Sequence, residues 1–331
     1  MRYQSKNKTM KKIFALLFLS FALVIAASCN KEQPAYEQAA GEVAVTLSFA
    51  TDDVAPTKAV FGTGSSATVL EYRLYILQGN NWNLTQVAAK LTDVTYPKAV
   101  TLHLANNMTY RIACFAQSPA AVEAGLYDVT DFDDIAINYS VLAANNDMGD
   151  AFCATKQFTV TAGSSVSVVM HRPLAQVNVF SGDKAAYDAT AVGNPVDSFK
   201  VSFKDVPNKF GIVMGNPDEN GYVPSRAKDS VEDVTFQGKV LSGTTHSYND
   251  LMWDQFSMNY LVADPAGDIT TVDLEFKALD GTVVTSVTGI TNVPYKSNYR
   301  TNLYGYLITN VVNFTIDLDP IFYEPDYDVL Y

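Results

Sequence analysis

The chain has 331 residues, of which 48% are hydrophobic, 12% aromatic and 18% charged, a composition that excludes a disordered or fibrous chain and permits a sizeable packed core. The 23 Lys and Arg are outnumbered by 35 Asp and Glu, and five of the basic residues (Arg2, Lys6, Lys8, Lys11, Lys12) precede residue 29, so the body is strongly acidic and repels nucleic acid and anionic headgroups. Three His and three Cys, scattered along the chain, leave little material for a multi-ligand zinc site or a His-based nucleophile relay.

In chain order, Met10-Lys11-Lys12 precedes an apolar run from Ile13 to Ala27 and then Ser28-Cys29. A basic segment, an apolar stretch and small residues describe a secretory signal over residues 1–28, too short for a comfortable transmembrane helix. Ala26-Ala27-Ser28-Cys29 resembles a bacterial lipobox, which implies cleavage before Cys29 and acylation of its thiol, with two or more acyl chains giving stable anchoring. Asn30-Lys31-Glu32-Gln33 resembles the Lys-acidic surface-export signal of some Bacteroidetes lipoproteins. Residues 29–41 read as a polar tether.

From there the apolar period is two. Val43, Val45, Leu47 and Phe49 alternate with small and polar residues, as in a half-buried strand. Residues 51–68 form a breaker-rich loop. Strands follow over 71–77, 82–87, 99–104, 109–116, 156–161 and 165–171. Between 118 and 150 the pattern loosens into a crossover with a short helix near 120–125 and four Asp between 128 and 134, without calcium-loop spacing. A second run of strands covers 174–180, 199–203, 234–240, 254–262, 271–279, 282–289, 301–308 and 311–318, with Asp280-Gly281 as the strongest hairpin signal. Sustained helical periodicity is absent after the signal, so the expected fold is all-β: two tandem antiparallel sandwiches, 42–172 and 173–310, with the boundary near Arg172.

Chemistry is sparse. His103, His171 and His246 stand in no ligand spacing, and no nucleophile elbow, P-loop or dinucleotide fingerprint is present. Adjacent loop acids such as Asp52/Asp53 do not make the facing carboxylates of a glycosidase. The expectation is a protein that is not an enzyme and takes no metal or cofactor. Trp82 and Trp253 are placed near loop tips, where they either pack or stack on a sugar or a partner. Cys114 and Cys153 would face an oxidising compartment, as a disulfide or as two small core residues. Asp229-Ser230-Val231 matches an O-glycosylation pattern of Bacteroidetes secreted proteins, with Ser230 as acceptor.

Two segments, 171–179 (HRPLAQVNV) and 298–309 (NYRTNLYGYLIT), resemble the fimbrillins, the FimA-like subunits of the type V pili of Bacteroidetes. The first is similar to their Arg-x-x-Ala-x-Val entry into a second domain, the second to their Arg-Thr-Asn-x-Tyr-Gly strand. The resemblance implies transthyretin-like sandwiches, export as an outer-membrane lipoprotein to the cell surface, and a fimbria that supports adhesion. It implies that a trypsin-like protease removes the lipid and the first strand, here Val43, Val45, Leu47 and Phe49, with Lys58-Ala59 as the scissile bond. Lys58 stands where the family has Arg. It further implies that the vacated groove accepts a carboxyl-terminal strand of another pilus subunit, here from residues 311–331, with Val312, Phe314, Ile316 and Leu318 on one face. The competing expectation is a surface lipoprotein that binds a glycan or host protein and does not polymerise.

Overall fold

The structure is a computed structural model, and it describes residues 41–52, 67–240, 245–309 and 314–319. All of them lie in the second of two compact units, Ala40–Tyr331. The signal, Cys29, Lys58, Ala59 and Val312 lie outside the described residues.

The first part of the unit contains β1 (Glu42–Thr51), β2 (Val69–Gln78), β3 (Asn81–Leu91), β4 (Lys98–Ala105), β5 (Thr109–Gln117), α1 (Pro119–Ala124), β6 (Tyr127–Asp128), β7 (Ile135–Ile137), β8 (Phe152–Thr159) and β9 (Ser165–Met170). The chain continues with β10 (Leu174–Ser181), α2 (Lys184–Thr190), β11 (Val196–Pro207), β12 (Lys209–Gly211), β13 (Tyr222–Val223), β14 (Arg226–Ala227), β15 (Val231–Lys239) and β16 (Thr245–Tyr248). It closes with β17 (Leu251–Val262), β18 (Asp268–Ala278), β19 (Val283–Tyr295), β20 (Arg300–Gly305) and β21 (Phe314–Asp319). The fold is therefore all-β and sandwich-like. Among the described residues no helix is long and apolar enough to cross a membrane.

Alternation decides which face each strand buries. The sheets β4-β1-β9 and β13-β8-β5-β2-β3 enclose one apolar cluster, to which β1 gives Val45, Leu47 and Phe49, β5 gives Ile112 and Cys114, and β9 gives Val166, Val168 and Met170. The sheets β16-β17-β10-β20-β21 and β15-β11-β18-β19 enclose a larger one, containing Val177, Val179, Leu303, Val201, Phe203 and Phe276. The larger cluster also takes Ala113 and Phe115 from the opposite face of β5, and the crossover residues Phe132, Ile135 and Tyr139.

This alternation overturns the disulfide reading. Cys114 is opposite Ala154 and Cys153 is opposite Phe115 in the β5–β8 ladder, so the two thiols point to opposite faces, one into each cluster. Both are buried and free. Burial pushes both thiols up, that of Cys153 to about 12, and leaves them unreactive.

The crossover is held from within. Arg73 donates to the carbonyls of Val129 (2.5 Å) and Thr130 (2.9 Å), with its guanidinium 4.0 Å from the Phe132 ring centroid. Gly149 has no side chain because a Cβ there would stand 2.8 Å from the Tyr260 ring. Next to it, Asp150 receives Arg172 Nε at 2.6 Å and Nη2 at 2.9 Å, a two-pronged ion pair whose side chains are each 1% exposed. The guanidinium also lies 4.2 Å from the Phe152 ring centroid.

An ion pair this deep is costly to break from one side. Asp150→Ala is expected to destabilise the protein by about 3–5 kcal/mol. The Asp150→Leu/Arg172→Met double variant, which leaves no unpaired charge, is expected to lose less. Urea denaturation of the three proteins measures this, and a double variant less stable than the single one contradicts it.

Candidate functional site

The site implied by the sequence comprises a strand that leaves and a strand that is lent. β1 occupies the middle of its sheet. It runs antiparallel to β4, from Glu42 opposite Ala105 to Phe49 opposite Lys98, and parallel to β9, from Thr46 opposite Ser165 to Thr51 opposite Met170. Neither neighbour adjoins it in sequence, so no tight hairpin ties β1 to the strands that flank it. Val45, Leu47 and Phe49 are fully buried, Val43 is half-buried, and Phe49 stacks on Tyr72 with ring centroids 5.4 Å apart.

β21 is the opposite case. Among the described residues it is the edge strand of its sheet and pairs only with β20, from Gly305 opposite Phe314 to Arg300 opposite Asp319. Ile316 is half-buried against the larger cluster, and Leu318 is 38% exposed. The apolar face of the candidate donor is thus partly uncovered at both Leu318 and Ile316.

Two carboxylates mark the ends of these strands. Asp52, one residue past β1, accepts His171 Nδ1 at 2.6 Å and Asn298 Nδ2 at 2.8 Å, both on Oδ2. Its burial opposes ionisation, but the His171 hydrogen bond and charge, the Asn298 amide and the nearby Arg172 outweigh it and hold the carboxyl below its ordinary value. Asp183 stands at the start of α2 yet makes no capping bond there. Its Oδ2 instead accepts Thr309 N (2.6 Å), Thr309 Oγ1 (2.7 Å) and Ile308 N (3.2 Å), while Oδ1 accepts Ser181 Oγ (2.5 Å). It therefore fixes the turn from which the chain runs on to β21. Burial raises the Asp183 carboxyl, and these four donors more than reverse that.

The two sequence motifs turn out to be neighbours. β10 and β20 run parallel, Gln176 opposite Arg300 and Asn178 opposite Asn302, with Asn178 Nδ2 donating to Asn302 Oδ1 at 2.8 Å. Ala175 and Val177 of the first motif are completely buried. Tyr304 of the second stacks on Tyr248 at 4.1 Å and on Phe180 at 4.9 Å. Its hydroxyl lies 2.8 Å from His246 Nδ1.

The other candidate residues also have structural places. His246 belongs to β16 and is buried in this aromatic cluster. Trp253 is buried in the same cluster, its Nε1 donating to the Tyr248 carbonyl at 3.1 Å, and Trp82 is covered by Arg111, 4.3 Å from its ring centroid. Neither tryptophan is a free stacking platform. Ser230 is half-buried before β15, its carbonyl accepting Asn208 N at 2.9 Å. Among the described residues no group of three or more His, Cys, Asp and Glu could hold a metal ion. The acids of the crossover face cations: Asp134 pairs with Lys209 at 2.7 Å and Asp133 with Lys228 at 3.8 Å.

A family model of unknown function, DUF6562, matches residues 37–330. The chain belongs to that family. No curated protein matches the sequence. Among solved structures it is similar to the fimbrial anchor protein Mfa2 from Porphyromonas gingivalis, at 11% identity and a TM-score of 0.43, over 83% of this chain and 97% of that chain. It is also similar to the tip fimbrial protein Mfa3 from the same organism, with C-terminal truncation, at 9% identity and a TM-score of 0.45, over 84% of this chain and 99% of that chain.

The Asp183 grip has a defined pH signature. A carboxyl held below its ordinary value contributes stability that is complete above 3.8 and is lost as pH falls through the lower native value. Asp183→Asn is expected to cost about 1.5–3 kcal/mol at pH 7, the range of a hydrogen bond to a charged group. It is also expected to speed amide exchange at Ile308 and Thr309. The stability gap between the two proteins should close on acidification below pH 3.8. Denaturation curves at neutral and acid pH check this, and a gap that widens on acidification contradicts it.

Proposed function

We propose that the protein is a non-enzymatic structural subunit of a cell-surface fimbria, built from two tandem sandwiches and polymerised by strand exchange with other pilus subunits. It is exported as an outer-membrane lipoprotein on Cys29. A trypsin-like protease then cuts at Lys58-Ala59 and frees β1. The slot between β4 and β9 takes a strand with the β21 pattern from the next subunit.

The observation that carries this reading is the contrast between the two strands. The first strand of the unit is enclosed between partners distant in sequence, while the last described strand hangs on a sheet edge by one ladder. Fully burying a Val, Leu or Phe side chain is worth about 1.5–3 kcal/mol, so Val45, Leu47 and Phe49 together contribute roughly 5–9 kcal/mol, comparable with the whole stability of a typical domain. Loss of β1 therefore demands a replacement. A strand carrying Val312, Phe314, Ile316 and Leu318 supplies the same alternation. It would also bury in the slot apolar surface that the edge position leaves open at Leu318. Two rows of unpaired backbone groups in the emptied slot supply the rest of the drive.

Truncation after Asn310 tests the mechanism. Trypsin treatment of the full chain should give high-mass, SDS-resistant ladders, and the truncated chain should give none. Ile316→Asp, which places a charge on the donor's apolar face, should reduce the ladders strongly while leaving the monomer folded. Ladders unchanged by the truncation contradict strand donation from this tail.

A further inference from the structure

We propose that Asp52 is a latch that keeps β1 seated, its carboxylate gripped by His171 and Asn298 until the strand is exchanged. The inference rests on the strand-exchange reading above and adds to it the element that controls when the resident strand leaves.

The latch sits at one of the two ends of β1 that a single ladder holds. The ladder to β4 ends at Phe49 opposite Lys98, whereas the ladder to β9 continues to Thr51 opposite Met170, followed by Asp52 N donating to Met170 O at 3.1 Å. Beyond Phe49 the strand is therefore held on one side only, and a strand peels from such an end. Asp52 covers that end with two charge-assisted hydrogen bonds from its side chain.

Both jaws rise from backbone that is itself held by hydrogen bonds. His171 is bridged in both directions to Cys153, with N–O distances of 2.9 and 2.8 Å. Arg172, the next residue, is fixed by its buried pair with Asp150. Asn298 donates its backbone N–H to the Leu174 carbonyl at 3.0 Å, and its Oδ1 accepts Arg172 N at 3.4 Å. It stands at φ 63°, a left-handed position that Asn adopts more readily than most residues. The two fimbrillin-like segments begin at His171 and Asn298, so the residues that open both segments converge on the end of the strand that must depart.

The grip is releasable. Both donors share Oδ2, while Oδ1 is buried without a hydrogen-bond partner. The latch also serves the resident strand alone. If the donor is laid in the direction of β1 with Val312, Phe314, Ile316 and Leu318 over Val43, Val45, Leu47 and Phe49, the position of Asp52 falls on Ile321, which brings no carboxylate to the jaws. Asp52 therefore slows departure without stabilising the exchanged state.

Amide exchange of the uncut full chain and of its Asp52→Asn and His171→Ala variants is the primary test. The expected result is exchange at least tenfold faster at residues 47–51 in either variant, with residues 112–116 of β5 unchanged, and no further gain in the double variant. Equal exchange at residues 47–51 in wild type and variants overturns the latch, as does a rise spread evenly over β5. The second arm measures capture of a fluorescent synthetic peptide, residues 310–331, after trypsin treatment. Faster capture by the variants than by wild type supports the latch. Equal capture rates overturn it as the controlling step. If no chain captures the peptide while residues 47–51 still lose protection in the variants, strand exchange fails and Asp52 remains the residue that holds β1.

Discussion

The sheet β4-β1-β9 depends on one condition: both edges of β1 must be occupied. β4 and β9 come far later in the chain and are joined to each other only through β1 in their sheet. Without that strand the sheet has no centre, the buried Val45, Leu47 and Phe49 are missing from the cluster they share with β2, β5 and β9, and two rows of backbone donors and acceptors face a void. Unpaired buried backbone groups are rare in native proteins because each carries the full desolvation penalty. A sheet that lost β1 would therefore tolerate a substitute strand far better than none, and the proposed exchange answers that constraint.

The two parallel motif strands give that arrangement a fixed frame. β10 and β20 are buried side by side, pinned by the amide pair Asn178 and Asn302 and by Tyr304 within its ring cluster. Buried polar groups of this kind specify register, because a slip by one residue would turn Asn178 and Asn302 out of contact and drive both amides into apolar surroundings unpaired. Arg172 connects the same frame to the crossover through Asp150, and by its position beside His171 it also sets where the end of β1 is received.

Much of this was legible in the sequence. Period-two alternation located β1, β2, β5, β10, β17 and β18, and Asp280-Gly281 marked the β18–β19 connection, where Gly281 has φ 85°. The fimbrillin-like segments marked the two strands of the frame. Strand order was not legible, because the pairing of β1 with β9 and of β10 with β20 joins segments more than a hundred residues apart and alternation says nothing about partners. α2 escaped because its seven residues bury no side chain and so carry no apolar period. β16 was hidden in a Thr-rich stretch whose burial comes from the rings of Phe180 and Tyr304 around His246. The facing of Cys114 and Cys153 needed the register of β5 against β8, which no spacing reveals. Asp52 and Asp183 were the hardest to find. A lone acid beyond a strand looks like any solvated loop residue until its donors are seen, and three of the four donors to Asp183 lie 125 or 126 positions away.

The two carboxylates differ in what they hold. Asp183 binds Ile308 and Thr309, the covalent root of β21, which in the proposed exchange stays with its own molecule. Asp52 binds the terminus of β1, the piece that departs in the proposed exchange. A fixed root and a releasable end are what a strand exchanger needs, since a donor that loosened at its root would lose its reach and direction, and an acceptor strand that never let go would keep its slot closed. The hydrogen bonding matches this division. Asp183 uses both oxygens and four donor groups, three of them on the turn it anchors. Asp52 uses one oxygen and two donors and leaves the other oxygen unpartnered. The larger number of donors lies where the proposed exchange needs the chain to stay, and the smaller where it needs the strand to leave.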